Sequence, residues 1–200
     1  MRKLVAPPLD HIGKIIAYAG VSANTVTLVG LAIGLSGAGL IALGYYWFAL
    51  VLVVLSRIAD GLDGAVARAT KPSDFGGYFD IVADFLFYGA VPLGFAFANQ
   101  QQNGLVAAVL LLAFYVNGAT FLGYAILAER LKLQSSSNTS KTIYFSAGLL
   151  EGTETIAFII IICLWPSLFA PLGMIFAALT FFTAFARVLA AHKLYEPAKP

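Results

Sequence analysis

Charged residues are scarce in this 200-residue chain, at 11% of the total, whereas soluble proteins contain about 25%. The single cysteine, Cys163, excludes a disulfide within the chain and suggests no redox role. A net charge of only +2 gives no argument for nucleic-acid binding. Apolar sequence dominates instead, with 60% hydrophobic residues and a mean hydropathy of +0.87. These features exclude a soluble fold and predict one all-α integral membrane domain over residues 1–200.

The apolar residues form successive runs of about 17–25 residues, which is the length at which a helix crosses a bilayer. We predict a bundle of six transmembrane helices over residues 24–191, preceded by a cytoplasmic or interfacial segment over residues 1–23. Apolar residues at helical spacing in that segment favour a short amphipathic interfacial helix over a solvated linker. The predicted spans are 24–43, 47–66, 76–98, 104–127, 144–164 and 168–191.

The charges indicate how the chain is oriented in the membrane. Connections 44–46, 99–103 and 165–167 carry no charge, and all 12 basic residues lie in or near the alternate set of connections. The positive-inside rule therefore places both termini in the cytoplasm. All ten acidic residues lie at or near the same side, so we expect a multi-pass inner-membrane protein whose chemistry faces the cytoplasm.

The start of the first predicted span carries two local signals. Ser22 and Asn24 are both helix-capping residue types, and we expect Asn24 to be the cap. Small residues at helical spacing follow, at Gly30, Gly34 and Gly37, and such a row is typical of a close contact between membrane helices.

Residues 60–84 contain five of the ten acidic residues of the chain. Asp60 and Asp63 are three apart near the end of the second span, and Asp80 and Asp84 are four apart in the third, so each pair shares a helix face. We expect a tight turn over residues 64–79 to bring the two pairs together. Ionised carboxylates beside a hydrocarbon phase are costly unless a cation lies between them.

Carboxylate oxygens are the ligands that Mg²⁺ or Mn²⁺ prefers, and pairs of such ions are common in phosphoryl transfer. Histidine and cysteine are absent from this segment, which disfavours zinc. The sequence therefore predicts a magnesium or manganese site. The alternative is that the aspartates only contact water at the ends of two capped helices.

The same segment fits the pattern D-x2-D-G-x2-A-R-x7-G-x3-D-x3-D, which defines eight positions. This pattern resembles the signature of the CDP-alcohol phosphotransferase family, and the six-span layout extends the resemblance over nearly the whole chain. In one departure, Ala23 stands where the family often has proline in a Pro-Asn-x-x-Thr-like element, although Asn24 and Thr27 are present. Asp74 lies outside the defined positions, and we expect it to be a turn residue.

The resemblance implies a transferase that moves the phosphatidyl group of CDP-diacylglycerol onto an alcohol and releases CMP. It implies that Asp60, Asp63 and Asp80 hold two divalent ions, and that Asp84 completes the metal shell and acts as the general base. The residues implied for CDP binding are Asn24, Thr27, Asp60, Gly64, Arg68 and Gly76.

The acceptor pocket is expected between the cytoplasmic ends of the later spans, with candidates Lys141, Glu151, Glu154 and Arg187. The two cations suit an acceptor that carries phosphate, with glycerol 3-phosphate the first expectation and inositol phosphate another. The glutamates suit inositol, serine or choline, or form ion pairs with the cations.

Other functions fit the sequence less well than phosphatidyl transfer from CDP-diacylglycerol. A different CDP-linked donor, or a diacylglycerol acceptor, lies within the same family. By the same resemblance we expect this protein to be a homodimer, as its relatives are. A divalent-cation transporter would place acids near the bilayer midplane and polar groups on both sides, which the uncharged opposite connections disfavour. A structural scaffold would leave the aspartates unexplained.

Overall fold

The computed structural model describes residues 2–130 and 152–195, and every regular element in these two ranges is helical. The all-α class predicted from the sequence is therefore confirmed. The helices are α1 Arg2–Tyr18, α2 Ala23–Ala42, α3 Tyr46–Ala69, α4 Asp74–Ala98, α5 Gln100–Arg130, α6 Gly152–Leu164 and α7 Phe169–Tyr195, with a 3₁₀ turn at Pro166–Leu168.

The chain divides into two compact units, Met1–Gln100 and Gln101–Pro200. The first unit contains α1 to α4 and with them the whole aspartate motif. The second contains nearly all of α5, together with α6 and α7, and the expected acceptor residues.

Among residues 2–130 and 152–195, four helical segments are long and apolar enough to cross a membrane, namely α2, α4, α5 and Pro166–Lys193. At 24 residues α3 has the length to span, but from its midpoint onward it carries Arg57, Asp60, Asp63 and Arg68. The described part of α6 has 13 residues. Several apolar helices suggest a multi-pass membrane protein, while the six-span count and the orientation of the termini stay predictions.

Helix α2 packs against both α3 and α4 through its row of glycines. A β-carbon at Gly30 would lie 2.9 Å from the Cβ of Ala59 on α3, and one at Gly34 would lie 2.6 Å from Cδ2 of Phe87 on α4. Only a glycine permits so close an approach at these positions. The predicted helix-contact role of these glycines is confirmed.

The expected cap of α2 was wrong. The N-cap is Ser22, whose Oγ accepts a hydrogen bond from the backbone N–H of Thr25 at 3.2 Å. Asn24 is already the second residue of the helix. It is therefore past the extended cap position, from which a side chain accepts hydrogen bonds from the free N–H groups of the first turn.

The turn expected over residues 64–79 was also misplaced. Helix α3 continues six residues beyond Asp63 to Ala69, and α4 begins at Asp74, so only residues 70–73 connect them. Burial of Ala65 and Val66 favours the extra helical turns despite Gly64. Ser73 then caps α4 by accepting a hydrogen bond from the N–H of Gly76 at 3.0 Å.

Helix α1 lies within the segment 1–23 in which an interfacial helix was predicted, and it packs on the C-terminal half of α3. A β-carbon at Gly13 would lie 2.6 Å from the Cβ of Ala65, so the two helices meet almost backbone to backbone. Ile12 and Ile15 remain exposed on α1, at 44% and 56%. These exposed side chains suit contact with lipid, and the interfacial position of α1 stays a prediction.

Candidate metal centre and active site

Three of the four motif aspartates form one carboxylate cluster. Asp60, Asp63 and Asp80 each offer a carboxylate oxygen, and these three oxygens lie within 4.8 Å of one another. Asp60 and Asp63 come from successive turns of α3, whereas Asp80 comes from α4. Because α2 packs against both of these helices, it holds the two parts of the cluster in register.

Asp63 is the most buried member of the cluster, with 6% of its surface exposed. Its Oδ2 accepts a hydrogen bond of 2.6 Å from the hydroxyl of Thr27 on α2, which is itself buried. A buried carboxylate held by a donor on another helix keeps one orientation. Thr27, which was expected at the CDP, therefore contacts a carboxylate of the cluster.

The fourth aspartate has a different partner. Oδ1 of Asp84 accepts a hydrogen bond of 2.7 Å from Nη1 of Arg57, and this same nitrogen lies 3.5 Å from Oδ1 of Asp60. Asp84 is not a member of the cluster found among the described residues. Sequence reasoning missed Arg57, although a cation three residues before Asp60 in an apolar helix is a signal of a partner for an acid.

A small cavity lies beside the cluster, and its wall is formed by residues of α2, α3 and α4. The lining residues are Thr27, Gly30, Leu31, Ser56, Arg57, Asp60, Asp63 and Ala83. Two of the cluster carboxylates and the guanidinium of Arg57 thus share one space.

The cluster suits a hard divalent cation. All of its candidate ligands are carboxylate oxygens, and no histidine or cysteine belongs to it among the described residues. Such a set fits Mg²⁺ or Mn²⁺ and does not fit a structural zinc site. Three carboxylates this close together also repel one another strongly, so a cation between them stabilises the arrangement.

The residues expected at the CDP lie around the ends of α2, α3 and α4. At Gly64, an added β-carbon would meet only Nη1 of Arg68, at 3.3 Å, so the backbone here is open to a ligand on one side. At Gly76, an added β-carbon would lie 3.1 Å from Oδ1 of Asn24. The structure thus brings Asn24 next to Gly76 and Arg68 next to Gly64.

Arg68 already has a partner on α1. Its Nη2 donates a hydrogen bond of 2.7 Å to Oδ1 of Asp10, and both side chains are largely exposed, at 59% and 45%. An exposed ion pair of this kind contributes little to stability, so it is readily exchanged for a phosphate. Asp74, expected in a turn, is the first residue of α4 and is exposed.

The acceptor candidates lie in the second unit. Arg187 is 5% exposed, and its Nη1 donates to the backbone oxygen of Asn117 at 3.1 Å, to Oδ1 of Asn117 at 2.9 Å and to Oγ1 of Thr120 at 3.0 Å. Glu154 lies in the first turn of α6 and is exposed. Lys141 and Glu151 lie outside the described residues. The sequence did not single out Asn117 or Thr120, because uncharged polar residues in an apolar helix give no distinctive pattern.

Replacing Thr27 with valine is expected to weaken Mn²⁺ binding by roughly 10- to 100-fold, as for other residues that orient metal ligands. Valine has the same shape but cannot donate to Oδ2 of Asp63. The affinity is measured by Mn²⁺ electron paramagnetic resonance on the purified protein in detergent, without donor.

Two variants accompany that measurement. Ser36→Ala also removes a hydroxyl from α2, but this exposed hydroxyl bonds only to the backbone of its own helix, so the affinity should not change. Thr27→Ser should restore binding. An unchanged affinity in Thr27→Val would contradict the role of this hydrogen bond.

A family profile described as CDP-alcohol phosphatidyltransferase matches residues 20–188. The chain is 42% identical to the inner membrane protein YnjF of Escherichia coli, over 92% of the chain and 89% of that protein. It is 29% identical to the archaetidylinositol phosphate synthase of Pyrococcus horikoshii, over 82% of the chain and 89% of the relative.

The fold is also similar to that of the phosphatidylinositol phosphate synthase of Mycobacterium tuberculosis. The structure of that protein with CDP-DAG bound has a TM-score of 0.58 at 20% identity and covers 92% of this chain and 90% of its own. Its structure with manganese and citrate has a TM-score of 0.57 and the same identity, covering 92% of this chain and 86% of its own.

Proposed function

This chain belongs to the CDP-alcohol phosphatidyltransferase family, and on that premise we propose that it transfers the phosphatidyl group of CDP-diacylglycerol to a small polar alcohol. The observation that carries the proposal is the cluster of Asp60, Asp63 and Asp80, whose oxygens lie within 4.8 Å of one another at three defined positions of the motif. An alcohol oxygen forms a bond to the phosphorus of the phosphatidyl group, and the bond from that phosphorus to CMP breaks.

The cofactor is Mg²⁺ or Mn²⁺, which the three clustered aspartates would hold. When bound, a divalent ion neutralises the charge that develops on the pyrophosphate as CMP leaves. Thr27 orients Asp63 for this task through the hydrogen bond of 2.6 Å. We place two ions in the complete site, with Asp84 contributing to the second.

Asp84 is the proposed general base. It removes the proton from the acceptor hydroxyl while the new phosphorus–oxygen bond forms. Nη1 of Arg57 donates to one carboxylate oxygen of Asp84 at 2.7 Å. In the complete site this oxygen would face the second ion, and the other oxygen would accept the proton. A base held in one orientation spends less of its time in unproductive conformations.

The donor would bind where α2, α3 and α4 meet. The open backbone at Gly64 and the neighbouring pair Asn24 and Gly76 leave room for the nucleotide to approach closely. Arg68 would exchange Asp10 for a phosphate oxygen, since its present ion pair is exposed and weak.

The acceptor is proposed to carry a phosphate of its own. A buried guanidinium fixed by oxygen contacts, as in Arg187, is suited to bind phosphate through paired hydrogen bonds. A relative identical at 29% acts as an archaetidylinositol phosphate synthase. This favours inositol phosphate over glycerol 3-phosphate, the acceptor first expected from the sequence.

Replacing Arg187 with glutamine is expected to raise the KM for inositol phosphate by roughly 10- to 100-fold, the range of a charge-assisted hydrogen bond. Mn²⁺ affinity should stay unchanged, because Arg187 is not one of the carboxylates that would hold the ion. Arg187→Lys, which keeps the positive charge, should raise this KM by less than Arg187→Gln does. The measurement is the dependence of CMP release on acceptor concentration.

Lys193→Gln is the control for that variant, since it removes an exposed cation from the same helix. An equal loss of activity with inositol that lacks a phosphate would contradict phosphate binding by Arg187, because the effect of the substitution would then not depend on the phosphate.

We place the enzyme in the inner membrane as a homodimer, with the active site facing the cytoplasm, on the basis of the charge distribution and the family. Lipid tails then enter from the inner leaflet, while the polar acceptor arrives from the cytoplasm.

The experiment that tests the function is CMP release by the purified protein in detergent with CDP-diacylglycerol and Mn²⁺ or Mg²⁺. Acceptors are supplied one at a time: inositol phosphate, glycerol 3-phosphate, inositol, serine and choline. Release with one of them establishes the reaction and its acceptor. Mn²⁺ flux into vesicles without any CMP release would instead overturn the enzyme in favour of a transporter.

A further inference from the structure

We propose that Arg57 is an internal counter-ion that takes the place of a second divalent cation at Asp84, so that the site binds its two metal ions one after the other. The inference rests on the proposed metal-dependent function and concerns a residue outside the eight defined positions of the motif. It explains why the structure separates the four aspartates into a cluster of three and a fourth that pairs with a cation.

The position of Arg57 is defined by contacts on three sides. Nη1 donates to Asp84 at 2.7 Å and lies 3.5 Å from Asp60, and Nη2 donates to Oγ of Ser56 at 3.2 Å. The ring of Phe87 lies under the guanidinium, with 3.9 Å from the ring centroid to Cζ. A cation between two carboxylates and over an aromatic face is held strongly.

Burial distinguishes this arginine from one that only serves membrane topology. Its side chain is 10% exposed, whereas those of Asp60 and Asp84 are each 35% exposed. The positive charge is therefore more deeply buried than either of these two carboxylates. Nε is buried and bonds to none of the residues that the structure describes, a cost that the charge contacts must offset.

The charge of Arg57 has different consequences for the two metal positions. The cluster of Asp60, Asp63 and Asp80 has three carboxylates and attracts a first divalent ion. A second ion at Asp84 must bind beside both the first ion and a guanidinium already in hydrogen-bond contact with that aspartate. Repulsion by one unit charge at such a distance is expected to weaken binding of the second ion by about tenfold or more.

The pyrophosphate of the donor reverses this balance. Its negative charges offset the repulsion between the second ion and Arg57, so the second ion binds together with the donor. The free enzyme then carries one ion, and the complete site forms only when a nucleotide pyrophosphate is present.

The test counts Mn²⁺ ions by electron paramagnetic resonance in detergent at fixed ionic strength, without turnover. The parent protein is expected to bind one ion tightly and a second at least about tenfold more weakly, with CDP restoring the second ion. In Arg57→Gln the second ion should bind about tenfold more tightly without CDP. Arg57→Lys, which keeps the charge, should retain the weak second ion.

Lys14→Gln is the matched control, because it removes one exposed cation from α1 outside the site, and it should behave as the parent does. Two ions of equal affinity in the parent would overturn the inference, and so would a lysine variant that binds like the glutamine variant. If Arg57→Gln does not fold, the parent and the lysine variant still decide. Absence of any Mn²⁺ binding would overturn the proposed metal-dependent function as well. Two ions of equal affinity together with normal CMP release would overturn only the counter-ion role of Arg57.

Discussion

Replacing Asp63 with asparagine is expected to reduce the rate of CMP release by about 10²- to 10³-fold, the scale on which loss of one electrostatic contact to a transition state acts. Asp63 is the buried member of the carboxylate cluster and the one that Thr27 orients. Asparagine keeps the shape of the side chain and can still accept the hydrogen bond from Thr27, but it loses the negative charge that a divalent ion requires. Activity is measured with CDP-diacylglycerol and the acceptor that the parent uses.

The same variant should be at least as stable as the parent when metal is removed. The substitution takes one charge out of a group of mutually repelling carboxylates, so thermal unfolding in EDTA should not occur at a lower temperature. Addition of Mn²⁺ should then stabilise the variant less than the parent, because a ligand that binds the folded state more weakly stabilises it less at the same concentration. The loss of activity is thereby distinguished from a loss of fold.

Asp74→Asn is the matched control for Asp63→Asn. Asp74 belongs to the same acidic segment but is exposed in the first turn of α4 and lies outside the cluster. Its replacement should change CMP release by less than about twofold and stability only by the small interaction with the helix dipole. Equal losses in the two variants would refute the assignment of the metal site to the cluster.

Replacing Gly94 with alanine is expected to destabilise the first unit by about 1–3 kcal/mol, which is typical of overpacking. A β-carbon at this position would lie 2.6 Å from the backbone oxygen of Ala38 and 3.3 Å from Cβ of Ile41. A backbone oxygen cannot rotate away as a flexible side chain can, so α2 and α4 must move apart. The measurement is thermal unfolding in detergent, with Mn²⁺ affinity as a second readout, since α2 holds the cluster in register.

The control for this variant is Gly39→Ala, one residue from Ala38 on α2. An added β-carbon there meets nothing within 4 Å. Alanine is the better helix former by about 1 kcal/mol, so this variant should be as stable as the parent or more stable. Stability changes of opposite sign in Gly94→Ala and Gly39→Ala would demonstrate the close contact between α2 and α4, and equal changes would contradict it.

The part of the site that could be predicted from the sequence is the part written in local spacing. Asp60 and Asp63 share a helix face because they are three residues apart, and Asp80 lies on the following helix, so their meeting follows from one short connection. The all-α class followed in the same way from the length of the apolar runs. Errors arose at boundaries, where Ser22 rather than Asn24 caps α2 and where α3 continues to Ala69.

The contacts that could not be predicted join residues far apart in the sequence. Arg57 meets Asp84 across 27 positions, Thr27 meets Asp63 across 36, and Arg68 meets Asp10 across 58. No periodicity within one helix indicates which side chains of another helix will face it. These partners depend on how closely the helices approach, and that distance is decided by the glycine contacts along α2.

Composition and spacing along one helix are local properties, and they were enough to predict a helical membrane protein with a carboxylate-rich motif suited to a divalent metal. Only the packed helices reveal that three aspartates form the cluster while Asp84 pairs with Arg57. A charge in an apolar bundle is stable only beside a partner, and the packing of α2, α3 and α4 selects that partner.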